Sequence, residues 1–397
     1  MEYNSSLMIS FKEAYRIVLE NAPIRRTEWI ILKEALDRVL AEDVKADRDM
    51  PPFFKSAVDG YACVDPQEGE ELKVLEVIPA GSRPKQAVRP GTCSKVMTGA
   101  EVPENSNMVV MVEHAEETGE GSIRINKPGN KSNIAKKGED FRQGDVIVPR
   151  GSIIRPQHIA VMASVGHAQP LVSKRPLVNI ITTGNELVEP DQQPAPGQIR
   201  NSNAVQLENQ FKEMGIKASY EGIVSDTAAN ILKVLTESIE NNHLTILTGG
   251  VSMGDFDFVP DMMEKAGVEI LFHEMAVKPG KPTIFGKRND HLVIGLPGNP
   301  VSTFLQFELL IKPLIYRMMG AKYKPAEIRM PLAEEIRQRK SGRDSWKPVK
   351  LKDGKVFVVN YHGSGHIHAL QDADGFICIP AGTENLKKDT LVDVRQI

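Results

Sequence analysis

Residues 247–257 combine a flexible backbone with side chains that can bind a ligand. The segment has the sequence Leu-Thr-Gly-Gly-Val-Ser-Met-Gly-Asp-Phe-Asp. Glycines let a backbone approach a ligand closely or adopt positive φ, while a hydroxyl and carboxylates supply ligand atoms. The residues concerned are Gly249, Gly250, Gly254, Ser252, Asp255 and Asp257. Such a loop suits a phosphate or a metal ion; the alternative is a plain turn whose glycines serve only its geometry.

The flanking pattern predicts that this loop connects a strand to a helix. Residues 243–248 form a short apolar, β-branched run typical of a buried strand, and residues 259–265 have helical spacing. The surrounding region, residues 177–320, alternates strand and helix, which predicts a mostly parallel sheet wrapped by helices. The other predicted elements are strands at 177–182 and 218–224 and helices at 203–214, 227–239 and 301–318. In such sheets, ligands bind beyond the carboxyl ends of the strands.

Three further unusual loops fall at predicted strand ends. They are Thr182-Thr-Gly-Asn-Glu-Leu187, Ser225-Asp226 and Gly295-Leu-Pro-Gly-Asn-Pro-Val-Ser302. Pro300 suits the first turn of the helix that follows the last loop, and Asn299 can cap it. The free N–H groups of that helix, with Ser302 beside them, would form an anion site.

A fifth segment, Lys278-Pro-Gly-Lys-Pro282, adds two cations on a turn-rich backbone. Carboxylates and lysines at one sheet edge suit a divalent cation bound together with an oxyanion or a phosphate, and magnesium is the natural choice. The charged residues of this predicted site are Glu186, Asp226, Asp255, Asp257, Lys278 and Lys281.

Composition sets broader limits. The 397 residues exceed one compact core, and 41% hydrophobic with 25% charged residues is ordinary for a globular protein. A net charge of −3 predicts no bulk attraction to nucleic acid or to an acidic membrane. Three widely spaced cysteines support neither a disulfide framework nor a zinc site, so a reducing cytoplasm fits best. Neither a signal peptide nor a run long enough to span a bilayer is recognisable.

The first half of the chain predicts helices around a small β module. A capping box at Ser10 and Glu13 predicts a helix over residues 10–21, and a second helix is expected over 33–40. Two prolines then favour an extended segment before Asp59, whose Asp-Gly pair is either a turn or part of a site. Short β-type runs follow at 72–78, 108–113 and 122–125, and residues 95–100 form a strand that enters a polar turn. A helix over 156–165 would return to the fold begun by residues 1–45, which makes the β module an insertion.

Taken together, these motifs resemble the MoeA-type molybdopterin molybdenumtransferases, the family that includes the E domain of gephyrin. The resemblance covers nearly the whole chain. Its motifs are Pro51-Pro-Phe, Ser56-Ala-Val-Asp-Gly-Tyr-Ala62, Met97-Thr-Gly-Ala100, Thr183-Gly-Asn-Glu-Leu187, Gly197-Gln-Ile-Arg-Asn-Ser-Asn203, Gly249-Gly-Val-Ser-Met-Gly-Asp255, Lys278-Pro-Gly-Lys-Pro282 and Leu296-Pro-Gly-Asn-Pro-Val-Ser302.

The resemblance implies a multidomain α/β fold. Residues 1–45 with 141–176 would form a split N-terminal domain, and residues 46–140 an inserted β domain. Residues 177–325 would form a MogA-like three-layer α/β domain that binds molybdopterin, and residues 326–397, which have the pattern of short strands with turns, a C-terminal β-barrel.

The implied reaction inserts molybdate into adenylylated molybdopterin, with magnesium required and AMP released. The implied catalytic residues are Asp59, Asp226, Asp257, Lys278 and Lys281. The implied cofactor-binding residues are Thr98, Asp140, Glu186, Gly249, Gly250, Ser252, Pro300, Ser302 and Ser364. The implied metal ligands are Glu186, Asp226 and Asp257. The resemblance also implies a homodimer with a shared cleft and a molybdopterin adenylyltransferase as upstream donor.

One segment departs from the family pattern. The C-terminal domain usually carries Gly-Arg-x-x-Phe-x-Arg, whereas this chain has Gly-Arg-Asp-Ser-Trp-Lys-Pro at 342–348. Pro348 cannot bind an oxyanion as an arginine would, so Lys347 or Lys350 would substitute as a point charge, with Ser364 assisting. A variant specialised for tungstate therefore stays open.

Other functions predict other features. A molybdopterin adenylyltransferase is usually a lone α/β domain with a Ser-Gly-Gly-Thr-Gly loop, and nicotinamide-nucleotide amidase relatives carry a Gly-Gly-Leu-Gly-Pro loop; this chain has neither. A scaffold is the alternative outside enzymology, because gephyrin's E domain also clusters receptors. Scaffolding alone would not need so many clustered carboxylates.

Overall fold

The computed structural model describes residues 8–119, 121–251, 258–361 and 363–397. Residues 252–257 of the predicted glycine-rich loop lie outside these ranges, and they include the predicted ligand-binding residues Ser252, Gly254, Asp255 and Asp257. The described helices are α1 Phe11–Glu20, α2 Pro156–Ser164, α3 Ser202–Glu213, α4 Ala228–Asn241, α5 Val259–Lys265, α6 Pro300–Gln306 and α7 Lys312–Met318.

The helix predictions are confirmed with small shifts at the ends, apart from one. The α1 helix is capped as predicted, since Ser10 Oγ accepts from Glu13 N–H at 3.1 Å. The carboxylate of Glu13 binds Arg16 at 2.6 Å. The α6 and α7 helices are joined by a π-helical segment, Phe307–Ile311, so the predicted helix over 301–318 is continuous but irregular.

The predicted helix over 33–40 is wrong. This segment contains only a 3₁₀ turn, Leu32–Glu34. Asp37 then takes φ 59°, which a helix cannot accommodate. Val39 and Leu40 form single β-bridges with Ile153 and Val172 instead. Tertiary pairing with the chain that follows the β module therefore overrides local helical spacing.

The central sheet confirms the predicted alternation of strand and helix. Its strands, in spatial order, are Ala218–Val224, Val178–Thr183, Leu244–Thr248, His291–Leu296, Ile284–Arg288 and Glu269–Phe272. The first four are parallel, and Ile284–Arg288 runs antiparallel to both of its neighbours. One face packs on α3, α6 and α7 through residues such as Ile180 and Ile246, while the other packs on α4 and α5 through Ile181 and Leu247. Two buried faces give the expected three-layer architecture.

A second sheet lies within residues 60–125 and confirms the predicted β-type runs. Its strands, in spatial order, are Met108–Met111, Gly60–Cys63, Thr92–Val96, Glu71–Ile78, Ser122–Ile125 and Ala115–Gly119. The segments before and after this sheet pair with each other. Thr27–Trp29 pairs with Leu171–Ser173, and Val44–Lys45 pairs with Val146–Val148.

The third sheet joins the C-terminal residues to the central region. Its strands, in spatial order, are Val277–Lys278, Asp344–Lys352, Gly375–Ile379, Leu391–Gln396 and Glu327–Pro331, with Lys355–Val358 added on Asp344–Lys352. Shorter pairs are Lys55–Ser56 with Ile134–Ala135, Leu187–Val188 with Ile199–Arg200, and Ile336–Arg337 with Asn385–Leu386. Because the Val277–Lys278 strand belongs to this sheet, the predicted Lys278 segment lies where two parts of the molecule meet.

None of the helices in the described part of the chain has the length and apolar character needed to cross a membrane.

Candidate functional site

Two glycines at the end of the Leu244–Thr248 strand are required by geometry. Gly249 has φ 89° and Gly250 has φ 62°. A Cβ on Gly249 would lie 2.4 Å from the carbonyl oxygen of Thr183 on the neighbouring strand, which is far inside van der Waals contact. A Cβ on Gly250 would lie 3.2 Å from both Thr183 Oγ1 and a methyl group of Val259. Both glycines take the positive φ that the sequence predicted, and Gly249 also lets adjacent strand ends approach each other.

A cleft of about 580 Å³ opens beyond the carboxyl ends of the parallel strands. It brings together three predicted site residues, Glu186, Gly249 and Pro300. The start of α3 forms another wall, and a short segment from the C-terminal region completes it. The other lining residues are Thr183, Leu187, Ile199, Arg200, Asn201, Ser202, Asn203, Thr248, Gly298, Asn299, Gly365 and Ile367.

Buried oxygens in this cleft have unused hydrogen-bonding capacity. Thr183 is 2% exposed and Asn203 is 7% exposed. Neither Thr183 Oγ1 nor Asn203 Oδ1 has a hydrogen-bond partner among the residues that the structure describes. The amide nitrogen of Asn203 is used, since it donates to Gly298 O at 2.7 Å. Buried polar atoms are normally paired, so these two oxygens indicate a ligand or ordered water.

Two carboxylates lie beside the glycines at this edge of the sheet. The exposed carboxylate of Glu186 folds over Gly184, with its oxygens 2.7 and 2.8 Å from the position of a Gly184 Cβ. Asp226 lies on the other side of the glycine loop, its Oδ1 3.9 Å from the position of a Gly250 Cβ. Carboxylate, hydroxyl and amide oxygens are the ligands that magnesium prefers. No group of three His, Cys, Asp or Glu within the described ranges is arranged to hold a metal ion, and Asp257 lies outside them.

The start of α6 differs in part from the prediction. Pro300 occupies the first turn, but the side chain of Asn299 makes no capping hydrogen bond; its backbone carbonyl accepts from Thr303 N–H instead. The N–H of Val301 is also engaged, because it donates to Ser364 O at 3.2 Å. Ser302 is only 2% exposed. Fewer free N–H groups than predicted are thus available to an anion at the start of α6. Ser364 contacts this turn through its backbone carbonyl.

The segment from Lys278 to Lys281 begins in the Val277–Lys278 strand, which pairs with the C-terminal sheet, and packs against α6 at Gly280. Gly280 has φ 107°, and a Cβ there would lie 2.1 Å from Gln306 Nε2. Lys281 is paired with Glu274 at 2.8 Å, so part of its charge is neutralised. Lys278 is exposed. Of the two predicted cations, Lys278 is the better placed to meet an anion.

The structure distinguishes the two lysines that could replace the missing arginine. Lys350 is paired with Asp372 at 3.1 Å. Lys347 lies two residues beyond Ser345, which pairs with Lys278, and residues two apart on a strand share a face. Burial, with a smaller effect of the Lys278 charge, lowers the pKa of Lys347. Lys347 therefore adds positive charge beside Lys278, and strand pairing favours it over Lys350, the other lysine that the sequence offered.

Three predicted residues lie in or beside the second sheet. Thr98 donates both its N–H and its hydroxyl to Asp59 Oδ1, at 2.6 and 2.8 Å. These hydrogen bonds lower the pKa of Asp59, the backbone one most. Asp140 is exposed, and its N–H donates to Met50 O. None of these three residues belongs to the described lining of the sheet-edge cleft.

The fold and the site define a multidomain α/β protein with a polar cleft beyond the carboxyl ends of its parallel strands. Three family models match successive parts of the chain: MoeA N-terminal region (domain I and II) over residues 9–166, probable molybdopterin binding domain over 179–317, and MoeA C-terminal region (domain IV) over 329–397.

Relatives of known structure or curated name match almost end to end. The molybdopterin molybdenumtransferase of Bacillus subtilis is 34% identical over 97% of this chain and 93% of its own length. That of Staphylococcus epidermidis is 33% identical over 97% and 95%. A crystal structure of the molybdopterin biosynthesis moeA protein from Pyrococcus horikoshii matches with a TM-score of 0.86 and 30% identity, over 98% of this chain and 100% of that one. The chain belongs to the MoeA family of molybdopterin molybdenumtransferases.

Proposed function

We propose that the protein inserts molybdate into the dithiolene of adenylylated molybdopterin while the adenylyl phosphate is hydrolysed and AMP is released. The observation that carries this proposal is the meeting of Glu186, Asn203, Gly249 and Pro300 in one cleft of about 580 Å³. These residues come from separate segments that only the sheet brings together. The alternative of a molybdopterin adenylyltransferase is not favoured, because the relatives that match 97% of the chain are named molybdenumtransferases.

Different residues in and beside the cleft would bind different parts of the substrate. Glu186, Asp226 and Asp257 would hold Mg²⁺, which when bound neutralises charge on phosphate oxygens. Thr183 and Asn203 offer buried oxygens that can bind donor groups of the pterin or the nucleotide. Gly249 would let the substrate approach the backbone at this strand end, because it carries no side chain. Pro300 and Ser302 would present the start of α6 to the substrate, and Ser364 would assist through its backbone.

Molybdate would be held at the other side of α6. Lys278 and Lys347 supply adjacent positive charge there, and Lys281 contributes through a charge that it shares with Glu274. Ammonium groups bind a tetrahedral oxyanion as point charges, without the planar fork of an arginine. The same chemistry would also accept tungstate, so a competition between the two oxyanions belongs with the activity assay.

The remaining predicted residues suggest a shared cleft. Asp59, Thr98 and Asp140 would reach the substrate from the partner subunit of a homodimer, because the central sheet offers an open edge that needs a further wall. We further propose a cytoplasmic protein that receives its substrate from a molybdopterin adenylyltransferase. That enzyme class is the one that attaches AMP to a pterin phosphate.

The test is AMP release and cofactor formation by purified protein supplied with adenylylated molybdopterin, molybdate and Mg²⁺. We expect turnover that chelation with EDTA abolishes and Mg²⁺ restores. Glu186→Gln is expected to lower turnover by at least about tenfold, since the amide keeps the shape but removes the charge. The matched control is Glu237→Gln, an exposed position on α4. Absence of AMP release by the wild-type protein under these conditions would rule out the proposed reaction and leave a scaffold as the alternative.

A further inference from the structure

Tyr220 links the edge of the central sheet to the start of α3. It lies in the Ala218–Val224 strand, whose neighbour is Val178–Thr183. Its hydroxyl donates to Glu189 Oε1 at 2.8 Å and accepts from Asn201 Nδ2 at 2.8 Å. Burial, followed by the hydrogen bond to Glu189, raises the pKa of Tyr220. The phenol therefore keeps the proton that it donates to Glu189 up to a higher pH than an ordinary tyrosine would.

Asn201 has its orientation fixed from both ends. The residue is 1% exposed, and its Oδ1 caps α3 by accepting from Ala204 N–H at 3.2 Å. Because the oxygen is committed to the cap, the NH₂ group points to Tyr220. The backbone N–H of Asn201 donates to Val188 O at 2.8 Å. Asn201 is thus held by the helix, by the preceding strand pair and by Tyr220.

The start of α3 in turn connects two other walls of the cleft. Ile199 N–H donates to Glu186 O at 2.8 Å, which ties the chain just before α3 to the loop that carries Glu186. Asn203 Nδ2 donates to Gly298 O at 2.7 Å, which ties α3 to the loop before α6. A shift of α3 at Asn201 would therefore move both walls.

We infer that Tyr220 is a positioning residue that sets the cleft for the pterin-nucleotide substrate, acting through Asn201 and the start of α3. Tyr220 itself is not among the residues that line the cleft. The inference rests on the proposed function for its substrate. The hydroxyl accounts for the effect, since phenylalanine would keep the packing of the ring and lose only the two hydrogen bonds.

The inference predicts a selective kinetic change. Tyr220→Phe is expected to raise KM for adenylylated molybdopterin about fivefold to tenfold, the range expected for a lost buried hydrogen bond. The molybdate concentration for half-maximal turnover should stay within about twofold of the wild-type value, because Lys278 and Lys347 do not contact this network. Glu189→Ala should reproduce the effect, whereas Glu189→Gln should restore most of the wild-type KM, since its amide oxygen can still accept from Tyr220. Tyr323→Phe is the control for loss of a hydroxyl outside this network.

A second readout does not depend on turnover. Hydrogen exchange at the amides of Asn201 and Ala204 should become faster in Tyr220→Phe and stay unchanged in Tyr323→Phe. A wild-type KM and wild-type exchange in Tyr220→Phe would overturn the inference. The inference would also be overturned if Tyr220→Phe lost turnover only in proportion to its unfolded fraction while KM stayed unchanged. If the wild-type protein releases no AMP, the proposed function fails, and the exchange measurement alone decides whether Tyr220 holds the cleft wall.

Discussion

Lys278 and Lys347 present their side chains on one face of the C-terminal sheet. The cause is the parallel pairing of Lys278 with Ser345, two residues before Lys347. The two cations come from sequence positions far apart, and the charge of Lys278 contributes to the lowered pKa of Lys347. Two like charges on one face repel each other, and a bound anion would offset that repulsion.

We predict that replacing either lysine weakens molybdate use. Lys278→Met and Lys347→Met should each raise the molybdate concentration for half-maximal insertion by about tenfold, because a hydrogen bond to a charged group contributes about 1.5 kcal/mol or more. The measurement is a molybdate titration at saturating adenylylated molybdopterin, with tungstate as competitor. Lys350→Met is the matched control, since Lys350 is already paired with Asp372. An equal effect in all three variants would point to general charge rather than to a site.

The same pair predicts a pH dependence. Because burial and Lys278 lower the pKa of Lys347, its positive charge is lost at a pH below that of an ordinary lysine. Molybdate use should therefore weaken as pH rises toward the ordinary lysine pKa, near 10.5. In Lys347→Met this alkaline weakening should be smaller. A titration with the same profile in both proteins would assign the change to another group.

Gly249 and Gly222 provide a matched pair for the glycine loop. Their φ values are 89° and 88°, but only Gly249 faces a close neighbour, Thr183 O. Gly222→Ala should lower the free energy of unfolding by about 1 kcal/mol through backbone strain. Gly249→Ala should cost about 1–3 kcal/mol more, because the added methyl group displaces the neighbouring strand end. Urea unfolding measures both, and equal midpoints would show that the Thr183 contact relaxes freely.

A histidine at the opposite end of the sheet predicts acid sensitivity. Burial, then the charge of Arg25, then His291, lowers the pKa of His243 to about 4 from 6.5. The unfolded chain binds a proton near pH 6.5 and the folded chain only near pH 4. The stabilising contribution is thus complete above pH 6.5 and is lost as pH falls toward 4.

The change to test is His243→Asn. Its oxygen can replace His243 Nδ1 as the acceptor of Leu177 N–H, which lies at 2.8 Å, but it does not titrate. Urea unfolding between pH 7 and pH 4 should show a shallower loss of stability in the variant. Some slope should remain, since burial also lowers the pKa of His291. An unchanged slope would remove His243 as the cause.

Periodicity predicted the central sheet because its inner strands, such as Val178–Thr183 and Leu244–Thr248, are buried on both faces. Ile180 and Ile181 illustrate this, since they point to opposite faces and are both fully buried. The prediction of a helix over 33–40 was wrong because Val39 and Leu40 pair with β partners more than a hundred residues away. Local spacing carries no information about such pairing.

The site was predictable where function needs unusual residue types and less so where it needs ordinary ones. The glycine loop and Pro300 stood out by type, whereas the roles of Thr183 and Tyr220 depend on neighbours that the fold supplies. Lys347 was one of two candidates in the sequence, and its pairing beside Lys278 separates it from Lys350. Asn203 lay within a recognised motif, but its role as a link to Gly298 depends on a contact across the cleft. Asn299 shows that residue type can also mislead. Its type suits a helix cap, but its side chain makes no capping hydrogen bond.

The shared-cleft proposal makes a prediction about mixed dimers. Asp59 is held by two hydrogen bonds from Thr98, and Asp226 lies beside Gly250 at the edge of the central sheet. If each cleft takes Asp59 from one subunit and Asp226 from its partner, a dimer of Asp59→Ala and Asp226→Ala chains has one cleft with both changes and one with neither. Each variant alone should be inactive, whereas the co-expressed pair should regain up to about half of the activity per mixed dimer, as two-fold symmetry requires.

The measurement uses two affinity tags, so that only mixed dimers are assayed for AMP release. The control is Thr98→Ser, which keeps the hydroxyl that binds Asp59 and should be active without a complementing chain. Mixed dimers that form but stay as inactive as their parents would mean that Asp59 and Asp226 act within one chain, or that both clefts must be intact together. A protein that is monomeric yet fully active would reject the shared cleft itself, while leaving the sheet-edge site of Glu186 and Gly249 in place.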